Sequence, residues 1–177
     1  MFRNCDRDRT HLDAFATALS ARGVHVLTWD YRPGVAPGLD WGATRLRDAT
    51  SVFAWLVAQP GVDGGRVVAI GGSCGVSLAL DFAAVKTASL RGLVVLSGPS
   101  DPAQRVFLAR APALAVLGAA SVREGAAVPN VAVVVRASSH AESRLVTPAD
   151  GGHGTEMLTH TPEFEAMVLD WITRRLA

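Results

Sequence analysis

Apolar positions near the start of the chain recur at helical spacing. Leu12, Phe15, Ala16 and Leu19 share one face of a segment that Thr10 can cap, with Asp13 at its third position, and Gly23 stops it. Residues 24–29 are short and apolar and read as a strand, ended by the turn chemistry of Asp30-Tyr31-Arg32-Pro33-Gly34 and followed by loop as far as Gly42. Leu46, Ala49, Val52, Phe53, Leu56 and Val57 return to helical spacing over 43–58, closed by Pro60-Gly61. A second strand is predicted at 66–70, a glycine-rich turn at 71–75, a buried helix at 76–85 and a third strand at 93–96. A mostly apolar helical region is predicted over 103–120. The unbroken apolar run 131–135 reads as a fourth strand, covered on both faces. The closing helix is capped by Thr161, opens with Pro162 and Glu163, carries Phe164, Met167, Val168, Trp171 and Ile172 on one stripe, and ends on Arg174 and Arg175. Strands alternating with helices predict an α/β fold: a mostly parallel sheet with helices on both faces, in a single domain over 1–177.

A chain of 177 residues, 49% hydrophobic, is long enough to bury a core. Its formal net charge of +1 gives no basic excess for a nucleic-acid or membrane-surface partner. Apolar stretches break well short of the roughly 18 residues that a membrane span requires, and the first residues do not form a signal peptide. Cys5 and Cys74 lie far apart with no metal-ligand spacing, so neither a disulfide framework nor a zinc site is suggested. A reducing, cytoplasmic setting is the expectation.

The chemistry is concentrated in Val67-Val68-Ala69-Ile70-Gly71-Gly72-Ser73-Cys74-Gly75-Val76, a G-x-S-x-G pattern between a strand and a helix. A serine on so sharp a turn is presented at the carboxyl edge of the sheet, and side chains at Gly71 or Gly75 would collide with neighbouring backbone. The N–H of Cys74 and the start of the next helix favour an oxyanion there. A dinucleotide fold also uses a glycine-rich turn, but G-x-G-x-x-G is missing, no acidic residue lies near position 91, and no Gly-Lys-Ser/Thr makes a phosphate loop. Downstream, Gly151-Gly152-His153-Gly154-Thr155 precedes the last helix, where a base belongs in the order serine, acid, histidine.

These stretches resemble the α/β-hydrolase superfamily, in its small esterase or dienelactone-hydrolase-like branch. The likeness runs from Trp29-Asp30-Tyr31-Arg32 through Gln59-Pro60-Gly61-Val62-Asp63, the serine turn and Leu96-Ser97-Gly98-Pro99 to His153-Gly154-Thr155. It implies a serine hydrolase cleaving a small-molecule ester or related acyl substrate, without metal or organic cofactor: Ser73 as nucleophile, His153 as general base, backbone amides as oxyanion donors. A peptidase of the prolyl-peptidase type, sharing a Gly-Gly-Ser-x-Gly turn, stays open.

Two departures shape the expectations. In the loop after the run 131–135 the sole carboxylate is Glu142, taken as the acid, with Asp101 as alternative; Asp150 is too near His153 in sequence to face its ring. The family's first strands, one of which supplies a second oxyanion donor, have no counterpart, which implies an N-terminally truncated or decaying copy and a hole beside the strand 66–70. Met1 to Asn4 is what is left of that oxyanion loop, with Phe2 as the second donor, and Cys5 near the site is read as an ordinary buried thiol. The competing reading from another class is a non-catalytic remnant serving as an interaction module. It requires no carboxylate at Nδ1 of His153.

Overall fold

In the computed structural model, residues 1–32 and 40–177 are described. The short helix α1 (Asp13–Ser20) is followed by α2 (Trp41–Val57), and then strands and helices alternate: β1 (Val67–Gly72), α3 (Gly75–Val85), β2 (Leu90–Leu96), α4 (Pro102–Ala109), β3 (Ala115–Ala119), α5 (Ala127–Ala137) and β4 (Arg144–Val146). Helices α6 (Met157–His160) and α7 (Pro162–Leu176) close the chain. The strands are all parallel, in spatial order β1-β2-β3-β4, so each crossover advances one place across the sheet.

Side chains alternate across the sheet because the strand period is two. Ala69, Leu93 and Val116, in register, pack under α2, α3 and α5, whereas Ile70, Val94 and Leu117 pack under α1, α6 and α7. Both faces are therefore dry, which suits a parallel sheet. On α7 the expected stripe is present: Phe164, Val168, Trp171 and Ile172 are buried, and Trp171 lies against Gly92 of β2, where an added Cβ would come within 2.7 Å of its ring.

Several predicted elements need correction. The run 131–135 is not a strand but the middle of α5. Val131 and Val135, one helical turn apart, straddle Gly118 of β3, whose added Cβ would lie 2.7 and 2.4 Å from their methyls. This packing overrides the β preference of four valines. The helical region predicted over 103–120 ends at Ala109, and its last part is β3, buried at all five positions. Residues 24–29 form no strand. Among the described residues, the free side of β1 is bridged only by Phe2, which gives its N–H to Ile70 (2.7 Å) and takes that of Gly72 (3.0 Å). Lacking a neighbour to pair with, the segment holds its Leu27 carbonyl against the Met1 amine at 2.7 Å. The expected hole is there as a cavity of about 210 Å³, walled by Leu27, Phe53, Val68, Ile70, Phe82 and Ile172 among others.

Two caps also differ. Asp8, not Thr10, accepts the Thr10 N–H (2.9 Å) at the first helical turn. Thr161 stands at the head of α7 but turns its hydroxyl to the Asp150 carbonyl at 3.4 Å. Most of the loop expected before Gly42 lies outside the described residues.

Candidate active site

Each of the four strands delivers its carboxyl end to one place. Gly72 ends β1, and the next residue, Ser73, takes a left-handed backbone (φ 53°) with its N–H held by the Leu96 carbonyl of β2 at 2.8 Å. A non-glycine residue in that conformation is uncommon and marks a turn that its surroundings impose. The turn is possible because Gly71 lacks a side chain: a Cβ there would sit 2.5 Å from the Gly75 carbonyl oxygen and 2.8 Å from Ala79. Ser97, after β2, repeats the device with φ 51° and its N–H on the Ala119 carbonyl of β3 at 2.9 Å. After β3 a single 3-10 turn (Val122–Glu124) brings in Glu124, and the loop after β4 brings in His153.

These residues form a chain of hydrogen bonds. Nε2 of His153 lies 2.8 Å from Oγ of Ser73, and Nδ1 contacts Oε1 of Glu124. The other oxygen of Glu124 accepts the Ser97 hydroxyl and the Ser121 N–H (3.1 Å). With Oε2 so occupied, Oε1 is the one that faces the imidazole. The glutamate side chain is 15% exposed and the histidine side chain 47%, so the ring opens to solvent while its carboxylate is largely covered.

The histidine loop is fixed from beneath. Buried Asn4 donates to the His153 carbonyl (3.0 Å) and accepts the N–H and hydroxyl of Thr155, each at 3.0 Å. Gly154, at φ 60°, passes so close that a Cβ would meet Asn4 Oδ1 at 2.4 Å. Glu156 accepts the His153 N–H (3.0 Å) and pairs with Arg7. That N–H first, and then Arg7, hold the Glu156 carboxyl below its ordinary range. Tyr31 donates to the Arg3 carbonyl at 3.0 Å, and burial pushes its hydroxyl up to about 12, so it remains a donor.

Of the sequence-predicted residues, Ser73 and His153 come together and the proposed acids do not join them. Glu142 pairs with Arg175 at 3.0 Å, Asp101 caps α4 through the Gln104 N–H (2.8 Å), and Asp150 pairs with Arg123 at 2.8 Å. The carboxylate on His153 is Glu124. It was missed because its strand, β3, reads as helix; the signal that finds it is Ser121-x-x-Glu124 directly after an apolar run. Phe2 is not free to serve an oxyanion, since its N–H is spent on Ile70. Cys74, the residue after Ser73, is the N-terminal cap of α3. Its sulfur corrects another expectation: Cys5 is exposed, and it forms a disulfide with Cys74. Local spacing hides this bond, because the two residues are 69 apart and meet only when the Phe2 stretch lies along the serine turn.

No protein-family model matches the sequence, and no curated protein matches it. Solved structures do. The esterase domain of a Rhodothermus marinus protein aligns at a TM-score of 0.71 and 17% identity over 96% of this chain and 82% of that one. The chain has the α/β-hydrolase fold. A dienelactone hydrolase-like promiscuous phosphotriesterase from metagenomic libraries shares this α/β-hydrolase fold at a TM-score of 0.70 and 18% identity, over 99% and 85% of the two chains. A monoacylglycerol lipase of Paleococcus ferrophilus does so at 0.65 and 13%, over 96% and 91%. In the α/β-hydrolase sheet of this chain, strand carboxyl ends converge on Ser73, Ser97, Glu124 and His153, and none of the described helices is long and apolar enough to cross a membrane.

Proposed function

We propose that the protein is a serine hydrolase of small carboxylic esters, with Ser73 as nucleophile, His153 as general base and Glu124 as the acid that orients the base. The observation that carries this reading is the unbroken hydrogen-bond chain from Ser73 Oγ through the two ring nitrogens of His153 to Glu124. The geometry suits proton transfer. As Ser73 Oγ bonds to the acyl carbon, its proton passes to Nε2, and the imidazolium so formed is stabilised by Glu124 through Nδ1–H. Negative charge gathers on the carbonyl oxygen, where the Cys74 N–H and the positive end of α3 favour it. His153 then returns the proton to the leaving alcohol, and water, activated by the same ring, releases the acid from Ser73.

The fold neighbours include an esterase domain and a lipase, which supports ester chemistry for this chain as well. None of the steps calls for a metal or an organic cofactor. An enzyme needs a carboxylate at Nδ1 of His153 and a non-catalytic remnant does not, so Glu124 at that nitrogen favours the enzyme. The substrate class is a small acyl ester; the Cys5–Cys74 bond removes the ground on which a reducing, cytoplasmic setting was expected.

The test is labelling with a fluorophosphonate probe, read by intact mass on folded protein. One adduct on the wild type and none on Ser73→Ala is the expected result. Labelling that survives in Ser73→Ala, or a folded wild type that takes no probe, refutes the assignment.

A further inference from the structure

The cysteine that follows the nucleophile is bonded to a residue 69 positions earlier, near the start of the sequence, and the bond is open to solvent. Cys5 is exposed, and Cys74 is half-buried at the mouth of the site. The stretch that Cys5 terminates touches the serine turn and the histidine loop. Phe2 bridges β1, Asn4 holds the backbone of His153 and Thr155, and the Phe2 and Arg3 carbonyls lie where a Gly75 Cβ would be, at 2.5 and 2.7 Å. Among the described residues this disulfide is the one covalent link between that stretch and the serine turn.

A guanidinium waits beside it. Arg45 Nη1 lies 3.5 Å from Cys5 Sγ, and the Arg45 group is stacked on the rings of Tyr31 and Trp41 at 4.5 and 4.3 Å, so it is held there. A cation at a sulfur stabilises the thiolate, hence the reduced form, which makes a disulfide easier to reduce than a purely structural one. Exposure and a fixed cation are the marks of a labile bond rather than a buried staple.

We infer that the Cys5–Cys74 disulfide is a redox switch on the active site: bonded, it holds the oxyanion side of Ser73 in its working geometry, and reduction by a dithiol lowers activity reversibly. The inference rests on the serine-hydrolase reading. In the step itself a thiolate of the dithiol attacks one sulfur to give a mixed disulfide, and its second thiol then displaces the protein sulfur. Cys5 and Cys74 leave as thiols with two electrons and two protons gained, and the dithiol is oxidised to its cyclic disulfide. Two thiols cannot occupy the space of a bonded pair, so the sulfurs separate, and positions 5 and 74 are no longer tied to each other. The Cys74 N–H moves with its residue, and a displacement of about 1 Å at a reacting centre costs on the order of 10²-fold in rate.

The experiment compares oxidised protein with protein reduced by dithiothreitol, thiols being counted by intact mass after alkylation and fold checked by circular dichroism. The fluorophosphonate labelling rate and turnover of p-nitrophenyl acetate are read in both states, together with amide hydrogen exchange of peptides covering 1–12 and 147–158. Reduction is expected to slow labelling at least tenfold in folded protein and to raise exchange in both peptides, and oxidised glutathione should reverse both effects. Cys5→Ser is expected to sit at the reduced level and to ignore dithiothreitol. Equal labelling rates and unchanged exchange in the two folded states overturn the switch. So does a reduced protein that unfolds, since the bond is then a staple. If the oxidised protein takes no probe at all, the serine-hydrolase reading fails by itself, and the exchange data still decide: unchanged protection overturns the coupling of the disulfide to the histidine loop.

Discussion

Replacing Glu124 by glutamine tests the candidate site through a single atom. The side chain keeps its size, and the Ser97 hydroxyl and Ser121 N–H, which both donate to Oε2, will draw the amide oxygen to themselves. That leaves the NH2 group facing Nδ1 of His153, which must then act as acceptor, so the ring proton moves to Nε2 and points at Ser73. The base is in the wrong tautomer for its task. The electrostatic loss adds to this. An imidazolium and a carboxylate about 4 Å apart attract by about 1 kcal/mol in water and about 4 kcal/mol at a surface-like dielectric. With His153 half open and Glu124 mostly covered, about 2–3 kcal/mol is reasonable, or roughly 30- to 150-fold at about 1.4 kcal/mol per decade. Together with the tautomer, the expected fall in kcat/KM is on the order of 10²–10⁴. It should be carried by kcat, because the imidazolium exists only in the transition state. Stopped-time hydrolysis of a nitrophenyl ester measures it, with thermal denaturation confirming an unchanged fold. Activity of Glu124→Gln within threefold of the wild type would refute the role of Glu124.

Glu142→Ala is expected to leave ester turnover within twofold, since the exposed Glu142 pairs with Arg175 at the end of α7; a hundredfold loss would restore it as the acid. Gly118→Val should destabilise the fold by at least about 1–3 kcal/mol in urea titration, because Val131 and Val135 already fill the space above that glycine. Asn4→Ala should lower kcat far more than it raises KM, as it frees the His153 carbonyl and two groups of Thr155; unaltered kcat argues against the clamp. Because the Glu156 carboxyl is held below its ordinary value of 4.5, its contribution to stability is complete above that pH and fades as pH falls through the lowered value. The stability gap between wild type and Glu156→Gln should therefore shrink in acid, as denaturation midpoints at pH 7 and pH 3 will report. Opening the disulfide frees a loop of some 70 residues, for which chain entropy alone gives roughly 4 kcal/mol, so reduced protein should melt lower.

Local patterns were enough for much of this protein. The stripe of α7, the strand and helix flanking Ser73, the glycines at 71 and 75, and the histidine loop before the last helix are all legible, because each carries a signal in its own short stretch of sequence, even where, as at Gly75 and His153, the contacts that need it come from residues 2–4. Ser73 and His153 could be paired from sequence since the order and the turn chemistry are local signals. The acid could not. A short apolar run carries no period long enough to separate a buried strand from a buried helix, and residues 115–119 and 131–135 were exchanged for that reason. Only the fit of α5 over Gly118, a contact between elements, decides which is which, and with it whether Glu124 or Glu142 follows the strand. The same holds for Asn4 and Cys5, whose partners lie at the far end of the chain and at the serine turn: their roles come from where the fold brings the first residues of the chain, a choice that no neighbouring residue encodes.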